Sequence, residues 1–260
     1  MTKLDPDRAA HVLRDARHVV VFTGAGVSAE SGIATFRDAS TGLWQRFGVA
    51  ELASADGFRR DPDLVWGWYE WRRMSVMRAQ PNAAHRAIAA LASKVPKLTL
   101  VTQNVDDLHE RAGSEGVIHL HGSLFAPRCF ACGCSASLAS EIPDEPEGGR
   151  RAAPPHCVHC GDCIRPGVVW FGEALPRSAL EQALDAARSC DVLLSVGTSS
   201  LVFPAADIPV QAHAAGATVV QVNPNATDLD AIADLNVRGP AGVILPALID
   251  RAFAMQDGRG

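Results

Sequence analysis

The stretch Val19–Arg37 reads VVVFTGAGVSAESGIATFR, and the fold follows from it. Val19, Val20, Val21 and Phe22 form an unbroken β-branched and aromatic run, as in a buried strand. Gly24-Ala25-Gly26 ends the run, and the chain continues through Ser28, Ala29, Glu30 and Ser31 to Gly32. Strand, glycine turn and small-residue segment is the order in which an α/β fold points backbone N–H groups at a phosphate. Gly24, Gly26 and Ala29 satisfy G-x-G-x-x-G/A, with glycine where the backbone turns tightly and approaches a pyrophosphate. The acidic residue that holds a ribose about 20 residues further on is not evident. Ser40, Thr41, Gly42, Leu43 and Trp44 occupy that region, so a ribose has to be held from elsewhere.

The chain has 260 residues, enough for one large domain or one domain with a smaller insertion. Its 47% apolar content supplies a normal core. A net charge of -5 argues against an obligate nucleic-acid binder. Lysine occurs only at Lys3, Lys94 and Lys97, a bias toward arginine read as genome composition. The start, MTKLDPDRAA, lacks an apolar signal core, and no apolar run is long enough to span a bilayer. Six of the seven cysteines crowd into Cys129–Cys163 with no export signal before them, which favours metal over disulfides. The expectation is a soluble, cytoplasmic protein with neither membrane nor nucleic acid as partner.

Outward from the glycine stretch, Pro6 with Ala9, Val12, Leu13 and Ala16 reads as an amphipathic helix capped by Asp5. From Gly42 to about Lys97 the pattern is helical and rich in tryptophan, broken at Pro62 and Pro81. Strands are expected at Leu98–Thr102, Val192–Val196 and Thr218–Val222, and a short apolar run leads into His119-Leu120-His121-Gly122. A helix is expected near Ser178–Ser189, and a closing helix interrupted by Pro246. Alternating strands and helices imply parallel βαβ units, whose ligands sit beyond the carboxyl ends of the strands. Gly24–Ser28, Gln103–Asp106, Gly197–Ser199 and Asn223 each follow an expected strand, so that rule gathers them into one site.

Cys129-x-x-Cys132 and Cys157-x-x-Cys160 form a four-thiolate pattern of the zinc-ribbon kind, suited to one closed structural ion. Cys134, Cys163, His156 and His159 lie close enough to compete, and Cys160-x-x-Cys163 is also a valid pair. His121, at the end of an apolar segment, is a candidate base. Gln103, Asn104 and Asp106 are candidate holders of ribose hydroxyls.

GAGVSAESGIATFR, TQNVD, HLHG, the paired Cys-x-x-Cys motifs, VVWFGE, VGTSS and Asn223 occur in the order found in sirtuins, and the chain resembles that family over nearly its whole length. The resemblance implies an NAD-dependent protein-lysine deacylase of α/β class: a Rossmann-like parallel sheet with an inserted small zinc-binding domain and a helical module. Residues 1–40, 98–125 and 165–260 would bind NAD, 41–97 would form the helical module of the acyl-lysine pocket, and 126–164 the zinc ribbon. In such enzymes nicotinamide leaves, the acyl oxygen takes its place on the ribose, and free lysine and O-acyl-ADP-ribose result.

By the same resemblance Gly24, Ala25 and Gly26 line the pyrophosphate, Phe36 shields the reacting ribose face and Arg37 belongs to the cofactor loop. Gln103, Asn104 and Asp106 bind the nicotinamide ribose and carboxamide pocket, with His121 as base. Gly197, Thr198, Ser199 and Asn223 hold the adenosine half, and Ala241 lies near the adenine. Val168, Trp170 and Phe171 line the channel for an extended acyl-lysine peptide. The family's apolar-Arg-Pro after the second cysteine pair matches Ile164-Arg165-Pro166, which selects Cys157 and Cys160. Asp162 stands where a second glycine is usual, and Cys163 is extra.

Tyr69 is the one tyrosine in the chain, and Arg72 follows three residues later, on the same face if the segment is helical. A guanidinium beside a phenol hydroxyl traps a carboxylate inside an apolar tunnel. Tyr69, Arg72 and the small Ala39 resemble the sirtuin subgroup that removes succinyl and malonyl groups, with deacetylation retained. The bland alternative packs Tyr69 among tryptophans and points Arg72 to water, like Arg73. Rival functions are a plain deacetylase, a mono-ADP-ribosyltransferase, an NAD-dependent dehydrogenase with structural zinc, and a zinc-ribbon module that reads nucleic acid.

Overall fold

In the computed structural model, which describes residues 6–33, 48–138 and 141–254, the apolar run forms the middle of β1 (His18–Thr23), whose six residues are all buried. Phe36, Arg37 and Ala39 lie outside the described residues, as does the expected cap Asp5. On one side β1 pairs in parallel with β2 (Lys97–Thr102), and β2 with β3 (Ile118–His119). The two-residue strands β4 (Arg128–Cys129) and β5 (Ile164–Arg165) make a separate antiparallel pair. On the other side of β1 lie β6 (Val192–Val196), β7 (Thr218–Val222) and β8 (Leu235–Val237). The order is β3-β2-β1-β6-β7-β8, all parallel, so strand order reverses between β1 and β6. A doubly wound sheet binds its ligand at that reversal.

The α-helices of the described residues are α1 (Pro6–Asp15), α2 (Gly26–Ala29), α3 (Val49–Leu52), α4 (Ala55–Arg60), α5 (Pro62–Arg78), α6 (Ala83–Leu91), α7 (Leu108–Arg111), α8 (Arg177–Ser189), α9 (Asp207–Ala214) and α10 (Ala241–Phe253). Strand periodicity sorts them. Val19 and Val21 pack with α1, α6 and α10 on one face, whereas Val20 and Phe22 pack with α8 and α9 on the other. Burial on both faces is why β1 reads as continuous apolar sequence.

Three expectations change. The helix α6, grouped by sequence with the tryptophan-rich segment, buries Ala84, Ile88 and Leu91 against the sheet. Pro246 does not interrupt α10. A proline inside a helix costs about 3 kcal/mol, and each fully buried large side chain returns about 1.5–3 kcal/mol. Leu245, Leu248, Ile249 and Phe253 are all buried, which is enough to hold the helix through it. The strand β8 was not anticipated, since its three residues Leu235-Asn236-Val237 are too short to give a periodic signal.

The helix α5 begins at Asp61, whose carboxylate accepts from Leu64 N–H, with Pro62 at its first position. Its apolar side, with Leu64, Val65, Trp68 and Tyr69, packs on Trp170 and Leu124 in a third core. The segment between the two cysteine pairs is strapped along α5. Arg151 forms a bidentate pair with Asp61, Ala152 N–H donates to Asp63 C=O, and Gly67 lies directly under Arg150.

A Cβ at Gly67 would fall 1.6 Å from the Arg150 carbonyl oxygen. Alanine favours helix over glycine by about 1 kcal/mol, but that gain is local and the clash is with backbone. Gly67→Ala is expected to keep α5 helical while lifting the strap, so that residues 141–156 are cut much faster in limited proteolysis. Unchanged cleavage would show that the strap is held without this contact.

Candidate active site

The loops after β1 and β6 meet at the reversal of strand order. Gly24 N–H donates to Val196 C=O at 3.0 Å, and Gly26 N–H to Gly197 C=O at 2.8 Å. A Cβ on Gly26 would sit 2.7 Å from that oxygen, and one on Gly24 would sit 2.8 Å from Thr198 Cα. Gly197 has φ +59° and would itself strike Val27 N. Glycine is required on both sides of this contact. Ala25 and Gly26 remain half-exposed beside it.

Further side chains tie the strand ends together. Gln103 Nε2 donates to Thr198 Oγ1 at 2.8 Å, and Asn223 Nδ2 donates to Thr198 C=O at 2.8 Å. Ser199 is half-buried on the same loop, and next to it Ser200 has left-handed backbone (φ 57°). The Ser200 hydroxyl is buried with no hydrogen-bond partner among the described residues. Ala241 is buried at the first turn of α10, where Gly242 N–H donates to the Glu30 carboxylate at 2.8 Å. Glycines at the reversal and an orphaned hydroxyl among amides form a cradle that fits a dinucleotide.

His121 leaves β3 with Nδ1 2.9 Å from Gln103 C=O. A carbonyl only accepts, so Nδ1 carries the proton and the Nε2 lone pair is free. Burial holds His121 below the ordinary histidine range, against the opposing pull of that carbonyl bond. Its neighbour His119 differs: burial works against its charge, but the Glu110 carboxylate at 2.6 Å raises it. Of the two histidines in HLHG, His121 is the one suited to take up a proton.

Behind these groups lies a buried polar lattice in which sequence reading placed Ser28, Asn104 and Asp106 at the strand ends but not the histidines and threonines that join them. Asn82 N–H donates to His85 Nδ1, so the His85 Nε2–H faces Ser28 Oγ at 3.4 Å. Asn104 Nδ2 also donates to Ser28, whose hydroxyl donates to Asp106 Oδ2 at 3.0 Å. Burial raises Asp106, opposed by the N–H of Leu108 and the hydroxyl of Ser28. In parallel, His109 Nε2 meets Thr23 Oγ1 at 3.0 Å, Thr23 donates to Thr102 at 2.8 Å, and Asn104 N–H donates to Thr102 Oγ1 at 3.0 Å. Both chains of bonds end on Asn104 or Asp106. No sequence spacing marks them, because they assemble from β1, α2, α6, β2 and α7.

The acyl-pocket candidates also meet. Tyr69 is buried, and its Oη accepts from Trp170 Nε1 at 3.0 Å. Burial pushes the Tyr69 phenol up to about 12, despite the nearby Arg72 charge, so it stays a hydroxyl. Arg72 is half-buried with its guanidinium 5.1 Å over the Trp68 ring, and no carboxylate of the described residues pairs with it. Arg73, expected in water, is instead buried and paired with Glu70 at 2.8 Å. Of the three channel candidates, Val168 and Trp170 are buried and Phe171 is exposed. Val169 N–H donates to His121 C=O, which links that segment to the candidate base.

The Sγ atoms of Cys129, Cys132, Cys157 and Cys160 all lie within 4.8 Å of one another. Cys129 and Cys160 are separated by 3.4 Å, and Cys132 and Cys157 by 3.7 Å. Sulfurs about 2.3 Å from one tetrahedral ion are about 3.8 Å apart, so the donor set fits zinc. Cys134, Cys163, His156 and His159 fall outside the group. Backbone explains two of them: Cys134 C=O accepts from Cys129, and Cys163 C=O from Phe130.

Sheet order, glycine reversal and cysteine cluster together define a Rossmann-type dinucleotide-binding protein with a structural metal module. The Sir2 family profile matches residues 24–204. An NAD-dependent protein deacylase of Methylococcus capsulatus is 62% identical over 91% of this chain and 93% of its own. NAD-dependent protein deacylase 1 of Pseudomonas aeruginosa is 59% identical over 93% and 97%. A crystal structure of a Sir2 homologue–NAD complex superposes with TM-score 0.89 at 43% identity, covering 97% of this chain and 95% of that one. Sir2Af2 bound to a myristoylated histone peptide superposes with TM-score 0.78 at 35% identity, covering 98% of each. The chain belongs to the Sir2 family, the sirtuins.

Two outcomes follow from this geometry. A zinc chelator strong enough to empty the cysteine cluster is expected to lower the Tm and expose residues 126–164 to protease, because structural zinc supplies folding energy; an unchanged Tm would remove the ion from the fold. Burial pushes His85 down to about 4 and His109 to about 3. The unfolded chain therefore binds protons that the native state refuses. Stability is full above about pH 6.5 and is lost as pH falls toward 4 and then 3, at roughly 2–3 kcal/mol per pH unit for two such groups. Denaturant unfolding across that range checks the slope, which His109→Asn should roughly halve.

Proposed function

We infer that this protein is an NAD-dependent protein-lysine deacylase, and the observation that carries the reading is the free Nε2 of His121 beside the glycine reversal. Bound NAD supplies a ribose bearing nicotinamide as a leaving group. The loop Gly24–Gly26 would approach the pyrophosphate through backbone, with Gly197, Thr198, Ser199, Asn223 and Ala241 around the adenosine half. Gln103, Asn104 and Asp106 would hold the nicotinamide ribose and carboxamide, fixed in place by the lattice behind them. Phe36 and Arg37 are assigned to the cofactor by family resemblance alone. His121 takes a proton from a ribose hydroxyl at Nε2, while Nδ1–H stays on the Gln103 carbonyl. The products are nicotinamide, free lysine and O-acyl-ADP-ribose.

The substrate is an acyl-lysine peptide or protein, entering beside Val168, Trp170 and Phe171; extended peptides bind mainly through backbone pairing. Because α6 packs on the sheet and β5 pairs with β4, residues 41–82 would form the acyl pocket, 126–165 the zinc module, and 1–40, 83–125 and 166–260 the NAD-binding body. No helix of the described residues is long and apolar enough to cross a membrane, and a cluster of reduced thiolates is at home in the cytoplasm. For the acyl group, a buried neutral phenol beside a guanidinium that no carboxylate of the described residues pairs with directly favours succinyl and malonyl over acetyl. Ala39 would leave the room that such groups need.

The test uses purified protein, NAD and matched peptides bearing acetyl-lysine or succinyl-lysine, with nicotinamide and free lysine followed by mass spectrometry. Turnover of the succinyl peptide should exceed that of the acetyl peptide, and Arg72→Met should cut it by about 10–100-fold, the value of a charge-assisted pair of about 1.5–3 kcal/mol, with little effect on acetyl. Equal losses on both peptides would refute the carboxylate role. Absence of nicotinamide release, with reduced cofactor formed instead, would refute the deacylase.

A further inference from the structure

Trp170 is only 2% exposed and has its indole fixed from several sides. The Arg165 guanidinium stacks 3.5 Å over the ring, and Phe58 and Phe130 pack at 5.4 and 6.3 Å. Arg165 is itself buried and forms two bonds to the Glu173 carboxylate, which also accepts from Trp170 N–H. The indole therefore cannot turn, and its N–H points at Tyr69 Oη.

That bond has a consequence for Tyr69. A phenol oxygen has two in-plane positions for its own proton, and the indole N–H occupies the lone pair at one of them. The proton must take the other, and it finds no acceptor there among the described residues. A nearly buried hydroxyl group thus presents an unspent donor, three residues from the guanidinium of Arg72, which makes no ion pair within 4 Å among the described residues.

Resting on the reading that Tyr69 and Arg72 receive an acyl carboxylate, we propose that Trp170 is a specificity-determining residue: its indole N–H holds the Tyr69 hydroxyl as a donor toward that carboxylate. Arg165 and Glu173 hold the indole in turn. Arg165 lies on β5 of the cysteine module, so acyl selection depends on a contact that the module supplies. An acetyl group has no carboxylate to meet this donor and is indifferent to it.

Trp170→Phe keeps an aromatic ring and removes the N–H. It is expected to raise KM for the succinyl peptide about tenfold more than KM for the acetyl peptide, the effect of one hydrogen bond to a charged group, whatever loss the change in the channel imposes on both. Because Tyr69 is the only tyrosine of the chain, tyrosine 13C-labelled at Cζ gives a single resonance, which should shift in this variant. In otherwise wild-type protein, Tyr69→Phe should move one of the five indole N–H signals, a readout that does not require the Trp170 variant to fold. Equal losses on both peptides, or no indole signal moved, would overturn the proposal. If Arg72→Met discriminates between peptides and Trp170→Phe does not, the proposal alone fails. If Arg72→Met does not discriminate, the carboxylate reading fails and the proposal with it.

Discussion

Gly26 and Gly197 approach so closely that neither could carry a Cβ. Everything at the carboxyl edge of the sheet depends on that contact. It brings the loops after β1 and β6 together where strand order reverses. Gln103 and Asn223 then reach Thr198 from either side. A side chain at either glycine would push the loops apart and break those bonds together. The glycines thus serve the loop-to-loop approach as well as any phosphate.

Around that contact the protein buries polar groups in an ordered sequence. His85, Ser28 and Asp106 form one directed chain of hydrogen bonds, and His109, Thr23 and Thr102 another. Direction matters because each hydroxyl has a single proton to give, so fixing one end fixes the other. Both histidines stay neutral because burial disfavours their charged forms. The amide and carboxylate of the site therefore face a ligand from a rigid support, which is how a preorganised pocket limits the entropy lost on binding.

The cysteine module contributes more than a closed metal site. It is strapped to α5 through Arg151 and Asp61, and it reaches Trp170 through Arg165. The cysteine cluster, α5 and the segment after Pro166 are one mechanical unit. The His121 backbone joins that unit through Val169.

Strands buried on both faces, glycine turns and cysteine pairs were legible in the sequence, because each is written in consecutive residues whose period or spacing the backbone itself imposes. So were His121 and the run Gln103–Asp106, which follow strands directly. His85 and His109 were not, because a buried lattice drawn from β1, α2, α6, β2 and α7 leaves no local pattern. Arg73 and Arg72 are adjacent and chemically identical, yet one is buried against Glu70 and the other stacks on Trp68; only the rotation of α5 against its neighbours separates them. By itself the sequence determined most of the elements, the cysteine pairs from which the metal ligands come and the order of the site motifs, since local spacing sets those. The tertiary structure decided which polar groups face each other and which way each proton points, since those depend on packing between segments far apart in the chain.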